Sequence, residues 1–296
     1  MKQKRKNQSK NMAVAGCVIV ILTLAILVSL YFLPFPKSNE TIGSSTNPSQ
    51  EPLSPNDTGL AVLDKVETEA EYETETSNET VVEPEERRLI VIDAGHQAKA
   101  NYDKEPLGPG SSEMKTKVSS GTQGIATGLE EYRLNLMVAE KLQLILQDRG
   151  YDTVMIRTIN DVNISNAERA QIANELKADA FIRIHANGSE NPQTNGILTV
   201  CQTKDNPYNK EFYEDSFLLS EAILDEMVKS TGATRLYVWE TDTMSGINWC
   251  MVPVTIVEMG FMSNPEEDRK MASESYREQL ALGIADGIDR YFGSKD

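Results

Sequence analysis

Histidine and cysteine are scarce in this 296-residue chain, which contains two histidines and three cysteines. Three cysteines are too few for a disulfide framework. The two histidines, His96 and His185, lie far apart in the sequence, so the compact H-E-x-x-H signature of helical zinc sites is absent. Basic residues are fewer than acidic ones, with 29 lysines and arginines against 45 aspartates and glutamates. The resulting net charge of −16 argues against a nucleic-acid partner.

A long apolar run lies near the N terminus. Residues 1–11 carry five lysines and arginines, and the segment 12–34 that follows contains no charged residue. A bilayer is crossed by about 20 apolar residues, whereas a cleaved signal peptide has an apolar core of roughly 7–15. The sequence therefore predicts a single-pass membrane anchor at 12–34, with 1–11 in the cytoplasm and the rest of the chain outside. The "VAGC" box that ends at Cys17 resembles a lipoprotein signal, but here the apolar core follows the cysteine, which favours a membrane-buried thiol.

Residues 35–88 change in composition to serine, threonine, proline, asparagine and a dense run of glutamate. Such a segment buries too little apolar surface to fold, so we expect a disordered acidic linker. Much of the negative charge falls in this linker and therefore says little about a binding partner. The segment 89–296 is long enough for one sizeable core and is the predicted folded domain. Its two cysteines, Cys201 and Cys250, are as consistent with separate buried thiols as with a disulfide.

Apolar runs of strand length alternate with amphipathic helical stretches through this domain. The alternation is typical of an α/β fold with a central, mostly parallel sheet flanked by helices. No internal repeat is visible. The predicted strands are residues 88–93, 151–158, 180–186, 196–201 and 252–260, and the predicted helices are 128–150, 165–179, 216–230 and 274–292.

Two of these helices have clear signals. Helix 165–179 begins with Ser165 and has Glu168 three residues later, which is the spacing of a capping box. Helix 128–150 ends at Gly150, a residue favoured just after a helix C terminus. Its expected buried stripe consists of Leu134, Val138, Leu142 and Ile145.

Chemically competent side chains follow three of the strands. His96, His185 and Glu258 each lie at a strand end, and the first turn of helix 128–150 offers Glu130 and Glu131. Ligands of α/β proteins bind at the carboxyl ends of the strands. Two imidazoles and a carboxylate, with one position open for water, are the ligand set of a hydrolytic zinc site. A second carboxylate would then serve as the base.

A structural interpretation of the same residues stays open at this point. A single histidine at a strand end is more often a hydrogen-bonded structural residue than a ligand. Glu130 and Glu131 taken alone are typical of a solvated first turn, where the helix dipole stabilises acidic side chains. Glu258 is harder to explain this way, because a carboxylate directly after an apolar run must be paired, metal-bound or shifted in pKa.

Four ordered blocks carry a family resemblance. "VIDAGH", "GLEEYRLNLMVAEKLQLILQDRGYDTVMIR", "NAERAQIANELKADAFIRIHANG" and "VPVTIVEMGFMSNPEED" resemble the landmarks of the zinc-dependent N-acetylmuramoyl-L-alanine amidases, across 89–292. The resemblance implies Zn²⁺ ligands at His96, Glu131 and His185, with Glu131 rather than Glu130 as the carboxylate ligand. It also implies that Glu258 is the catalytic carboxylate.

The function implied by this resemblance is hydrolysis of peptidoglycan. A zinc-activated water would cleave the amide between N-acetylmuramic acid and the L-alanine of the stem peptide. An enzyme anchored outside the membrane meets this substrate directly. Three alternatives remain, namely a zinc peptidase acting on the stem peptide, a catalytically inactive wall-binding or regulatory domain, and an anchored structural protein without metal.

The sequence departs from the common family pattern at several positions. Tyr132 and Arg133 stand where a Lys-Asp pair is usual, and Arg183 stands where serine is usual. A long segment, 98–128, separates "DAGHQ" from the helix that carries Glu131, and we expect it to be a loop. Because loops on a rigid sheet carry specificity, these differences bear on substrate choice.

Overall fold

The computed structural model describes residues 87–295. The predicted anchor at 12–34 and all but the end of the predicted linker at 35–88 lie outside the described residues, so both stay predictions. Among residues 87–295, no helix combines the length and the apolar character that crossing a membrane requires.

A six-stranded sheet forms the centre of the domain, and four of its neighbouring strands are parallel. The strands are β1 (Leu89–Ala94), β4 (Asp152–Met155), β5 (Ala180–Asn187), β6 (Ile197–Cys201), β7 (Arg235–Glu240) and β8 (Val254–Phe261); β2 (Asn101–Pro106) and β3 (Met114–Val118) form a separate antiparallel hairpin. The order across the sheet is β4-β1-β5-β8-β6-β7. Strands β6 and β7 are parallel to each other, and β6 runs antiparallel to β8.

Helices cover both faces of the sheet. The helices are α1 (Glu131–Asp148), α2 (Asn166–Glu175), α3 (Tyr213–Thr231), α4 (Ser245–Asn248), α5 (Pro265–Ala272) and α6 (Glu274–Gly293), and a short 3₁₀ turn spans Lys210–Phe212. The first face carries the larger apolar cluster and packs against α1, α3 and α6; the second carries a smaller cluster and packs against α2 and α4. Because β1, β5 and β8 are covered on both faces, their side chains are buried at nearly every position.

The expected fold class is confirmed, and so are most of the expected elements. The capping box at Ser165 is present, with Ser165 accepting from the Glu168 amide and Glu168 accepting in return. Helix α1 starts at Glu131, three residues later than predicted, and its deepest stripe ends in Leu146 rather than Ile145, which is only partly buried. Cys201 and Cys250 are both buried and free, so they form no disulfide.

The segment 98–128, predicted to be a loop, contains the β2–β3 hairpin, so that prediction was wrong. Both hairpin strands are polar and mostly exposed or half-buried, and neither shows the apolar run or strict alternation that predicts a strand. Strand β7 and helices α4 and α5 were also not predicted. Helix α4 has only four residues, and α5 has three acidic residues in its first turn, whereas the exposed edge strand β7 carries a Leu-Tyr-Val-Trp run that is typical of a strand.

Candidate metal centre

Three predicted residues meet at the carboxyl edge of the sheet. His96 follows β1, His185 lies near the end of β5, and Glu131 begins α1. Glu131 Oε1 lies 3.1 Å from His96 Nε2 and 3.3 Å from His185 Nδ1. One ligand atom from each of the three residues falls within 4.8 Å of the others. The fold therefore builds a group of two imidazoles and one carboxylate from residues 35 and 54 positions apart in the chain.

The geometry of this trio fits a divalent metal such as zinc. Zinc–ligand bonds of about 2.0–2.1 Å in a tetrahedral shell place neighbouring ligand atoms about 3.3 Å apart, close to the observed separations. His96 Nδ1 lies 3.0 Å from the Ser119 carbonyl oxygen, which can only accept a hydrogen bond. A neutral His96 therefore carries its proton on Nδ1, and the lone pair on Nε2 faces the Glu131 carboxylate. A cation bound between these two electron-rich atoms would relieve their repulsion.

Glu131, and not its neighbour Glu130, faces the histidines. Glu131 is 2% exposed, and its Oε2 accepts a hydrogen bond of 2.7 Å from the Thr122 amide. Burial raises the pKa of this carboxyl, but the two imidazoles beside it, His185 and His96, outweigh burial and hold the pKa well below its usual range. Glu130 instead forms a partly exposed ion pair of 3.0 Å with Arg133 on the helix surface. The carboxylate that faces the histidines is thus ionised and fixed in place.

His185 is neutral in this environment. Burial is the largest cause, and it lowers the pKa of the imidazole to about 4, against the opposing effect of Glu131. An imidazole must be neutral to bind a metal. Among the described residues, three buried polar atoms near the trio have no hydrogen-bond partner, namely His185 Nε2, Glu258 Oε2 and the Oδ1 of Asn135, whose amide nitrogen donates to Glu131. Such orphaned atoms are costly unless a ligand or water meets them.

Backbone conformation at His96 is unusual. Its φ angle is +59°, in the left-handed region that residues other than glycine rarely adopt. The side chain of Arg169 donates to the His96 carbonyl at 3.1 Å, and Arg157 donates to the Gly95 carbonyl at 3.0 Å. These two buried arginines therefore hold the turn that aims His96 at Glu131. Local strain of this kind persists only where surrounding contacts enforce it.

Two glycines allow the backbone to pass close to the trio. A Cβ atom added to Gly95 would lie 2.2 Å from the His185 ring. A Cβ atom on Gly121, whose φ angle is +79°, would lie 2.8 Å from Glu131 Oε2 and 3.0 Å from the His96 ring. Both positions therefore require glycine, and the loop around Gly121 packs directly over the carboxylate.

Glu258 lies beside the trio, on the strand next to His185. The two residues are register partners on the parallel strands β5 and β8. His96, His185 and Glu258 line one cleft of about 430 Å³. Burial, followed by repulsion from Glu131, raises the pKa of the Glu258 carboxyl well above its usual range, and Arg183 opposes the increase. Three of the four predicted site residues thus line one cleft, and the fourth, Glu131, is buried beside the two histidines.

A buried ion-pair cluster supports the cleft from below. Asp93 is fully buried, and its two oxygens accept from Arg169 at 2.6 Å and from Arg183 at 2.9 Å. Although burial raises the pKa of Asp93, the two guanidinium groups hold it well below its usual range. Asp93 and Arg169 were not among the residues predicted to form the site. A charged residue inside an apolar strand must have a buried partner, so Asp93 and Arg183 within their strands carried the signal.

A family model described as N-acetylmuramoyl-L-alanine amidase, Amidase_3, matches residues 90–290. The chain belongs to this amidase family. The match covers nearly all of the sheet and of the helices packed on both of its faces. It confirms the resemblance drawn from the four sequence blocks.

Individual relatives agree with this membership. The amidase domain is similar to the uncharacterized protein YqiI of Bacillus subtilis, with 29% identity over 212 residues, 71% of this chain and 87% of that protein. It is 24% identical to the N-acetylmuramoyl-L-alanine amidase AmiA of Salmonella typhimurium, over 70% of this chain and 76% of that one. The crystal structure of the N-acetylmuramyl-L-alanine amidase Ami1 from Mycobacterium smegmatis superimposes with a TM-score of 0.64 at 26% identity, covering 70% of this chain and 97% of Ami1.

Proposed function

We propose that this chain is a zinc-dependent peptidoglycan hydrolase that cleaves the amide between N-acetylmuramic acid and L-alanine. Family membership supports the reaction and the substrate. One observation of the site carries the proposal furthest. The trio His96, Glu131 and His185 lies beside a fourth residue, Glu258, which shares the cleft with both histidines and has an unpartnered carboxylate oxygen.

His96, Glu131 and His185 would hold the zinc ion. The Ser119 carbonyl fixes the His96 tautomer, and the Thr122 amide fixes one oxygen of Glu131. These contacts orient the ligands from behind, as second-layer hydrogen bonds do in metal sites. When bound there, zinc would lower the pKa of a water molecule to about 7 and polarise the amide carbonyl.

Glu258 would move the proton during hydrolysis. Its buried carboxylate oxygen has no partner among the described residues, so it can accept a proton from the attacking water. The same carboxyl can then donate that proton to the amine that leaves as the new N terminus of L-alanine. A carboxyl group with a raised pKa is better matched to this exchange near neutral pH than an ordinary one.

The proposed setting is the outer surface of the cell membrane. Support comes from the sequence, because residues 12–34 form a charge-free apolar run behind a basic segment. The acidic linker at 35–88 would then tether the amidase domain at the level of the wall. Cell fractionation tests this arrangement: the full chain should remain with the membrane, whereas a mature protein that begins beyond Pro34 in the medium would contradict it.

Product analysis tests the reaction. The purified chain, loaded with zinc, should release stem peptides with a free L-alanine N terminus from muropeptides, and Glu258→Gln should not. A zinc peptidase would instead cut between amino acids of the stem. An inactive wall-binding domain would give no product with either form. Either of these results would contradict the proposed function.

A further inference from the structure

The β2–β3 hairpin forms one wall of the catalytic cleft. Lys115 and Thr116, both on β3, line the cleft together with Glu258 and the two histidines. The hairpin lies between His96 and Glu131 in the sequence, so it leaves and rejoins the fold beside the metal trio. A side chain on its inner surface is therefore placed to contact whatever binds there.

The hairpin is fastened to the domain by buried contacts. Glu105, opposite Lys115 in the hairpin register, is 4% exposed. Its carboxylate accepts two hydrogen bonds: one of 2.6 Å from the Ser245 hydroxyl at the start of α4, and one of 3.1 Å from the Ala167 amide in the first turn of α2. The indole of Trp249 donates to the neighbouring Pro106 carbonyl at 2.8 Å. The wall that presents Lys115 is thus held in a fixed position.

Two basic side chains line the cleft, and their situations differ. Arg183 is committed, because its guanidinium binds Asp93 and Asn166 at 2.9 Å and 2.8 Å, and its side chain is only 3% exposed. The ammonium group of Lys115 pairs with Glu113 at 3.2 Å, with the two side chains 39% and 60% exposed. Surface pairs of this kind contribute little energy. Lys115 is therefore a cation that can exchange its partner.

We propose that Lys115 is a specificity-determining residue that binds a free carboxylate of the stem peptide, next to the L-alanine released by cleavage. This inference rests on the proposed function, because it concerns the peptide side of the same substrate. A cation at the cleft attracts an anionic peptide, so Lys115 is placed to contribute to its recognition. The substrate carboxylate would displace Glu113 from the ammonium group of Lys115.

The experiment compares two muropeptides that differ in one group. One has a free carboxylate on the residue after L-alanine, and the other has the same group as a carboxamide. The measured quantity is the ratio of kcat/KM for the two substrates, for each variant loaded with zinc. Wild type should prefer the carboxylate, and Lys115→Gln should lower the ratio about tenfold, the scale of a charge-assisted hydrogen bond. Lys115→Arg should keep most of the preference.

A matched control lies two residues along the same strand. Lys117→Gln removes the same charge from a lysine that does not line the cleft and pairs with Asp103 at 3.9 Å, so the ratio should stay at the wild-type value. Equal ratios for wild type and Lys115→Gln, with both substrates cleaved and zinc retained, would overturn the assignment of Lys115. Failure of the wild type to release L-alanine-terminated peptides from either substrate would instead refute the proposed function.

Discussion

The floor and the wall of the cleft are built by different means. The floor consists of strand-end residues of the central sheet, and its charges are buried and paired, as Asp93 is with Arg169 and Arg183. The wall is a polar hairpin whose outer side chains are largely exposed and which joins the domain through a few buried groups, chiefly Glu105. Buried residues keep the geometry that catalysis needs. Exposed residues on the wall can change without disturbing that geometry, and this is where we place selection of the substrate.

The largest expected effect separates the neighbouring glutamates on the floor. Glu131→Ala removes the carboxylate that faces both histidines and leaves two ligands, so zinc content and amidase activity should fall together. Glu130→Ala removes only a partly exposed ion pair with Arg133 and should retain both. Metal analysis of the two purified variants checks this. The opposite ranking would make Glu130 the carboxylate ligand.

The second effect concerns the rate alone. Glu258→Gln keeps the shape of the side chain but removes the group proposed to move the proton, so kcat should fall roughly 10²–10⁴-fold. Zinc should stay bound, because His96, Glu131 and His185 still provide three ligands. Zinc content and muropeptide cleavage are measured on the same sample. Loss of the metal would make Glu258 a ligand, and near-normal activity would place the base elsewhere.

The third effect is on stability, and it arises beneath the floor. Asp93→Asn leaves two buried guanidinium groups without a counter-charge, and breaking a buried pair in this way costs about 3–5 kcal/mol. Asp152→Asn, which breaks an exposed pair with Arg87, should cost at most about 1 kcal/mol. Urea unfolding of the domain measures both. Equal losses would show that the buried cluster adds nothing beyond a surface pair.

The dependence of stability on pH sharpens the same comparison. The pKa of Asp93 in the folded protein lies below its ordinary value of 3.8. Its contribution to the free energy of unfolding is therefore fully present above 3.8 and is lost as the pH falls through the lower, folded-state pKa. The wild type should lose this contribution in strong acid. The free energy of unfolding of Asp93→Asn, which has no carboxyl at this position, should change less with pH over the same range, as measured by urea unfolding at several pH values.

The residues of the floor could be predicted from the sequence more readily than those of the wall, for a physical reason. A polar side chain at the end of a buried strand, such as that of His185 or Glu258, interrupts an apolar run and can be recognised from the sequence alone. The arginines that brace His96 come from distant elements, so only the fold shows that Arg169 reaches its carbonyl. The β2–β3 hairpin has no apolar periodicity, because much of its surface faces solvent and the cleft. Its role depends on where Glu105 docks it, which no local pattern encodes.

The smallest expected effect tests that docking directly. Glu105→Ala removes the acceptor for Ser245 and for the Ala167 amide, so the hairpin should leave its docked position part of the time. Once the undocked form is favoured by about 1 kcal/mol, the docked fraction falls to about one sixth and KM rises about sixfold, since the substrate must recruit the docked form. The value of kcat should change little, because the trio and Glu258 lie on the sheet and on α1, away from the altered contact.

The matched control is Asp103→Ala. Asp103 lies two residues earlier on the same strand and its side chain is 78% exposed, so the KM of this variant should stay normal. Kinetics on muropeptides, with zinc content measured in parallel, separate the outcomes. A loss of zinc in Glu105→Ala would mean that the hairpin supports the floor as well, and a normal KM would mean that the wall stays in place without its buried carboxylate.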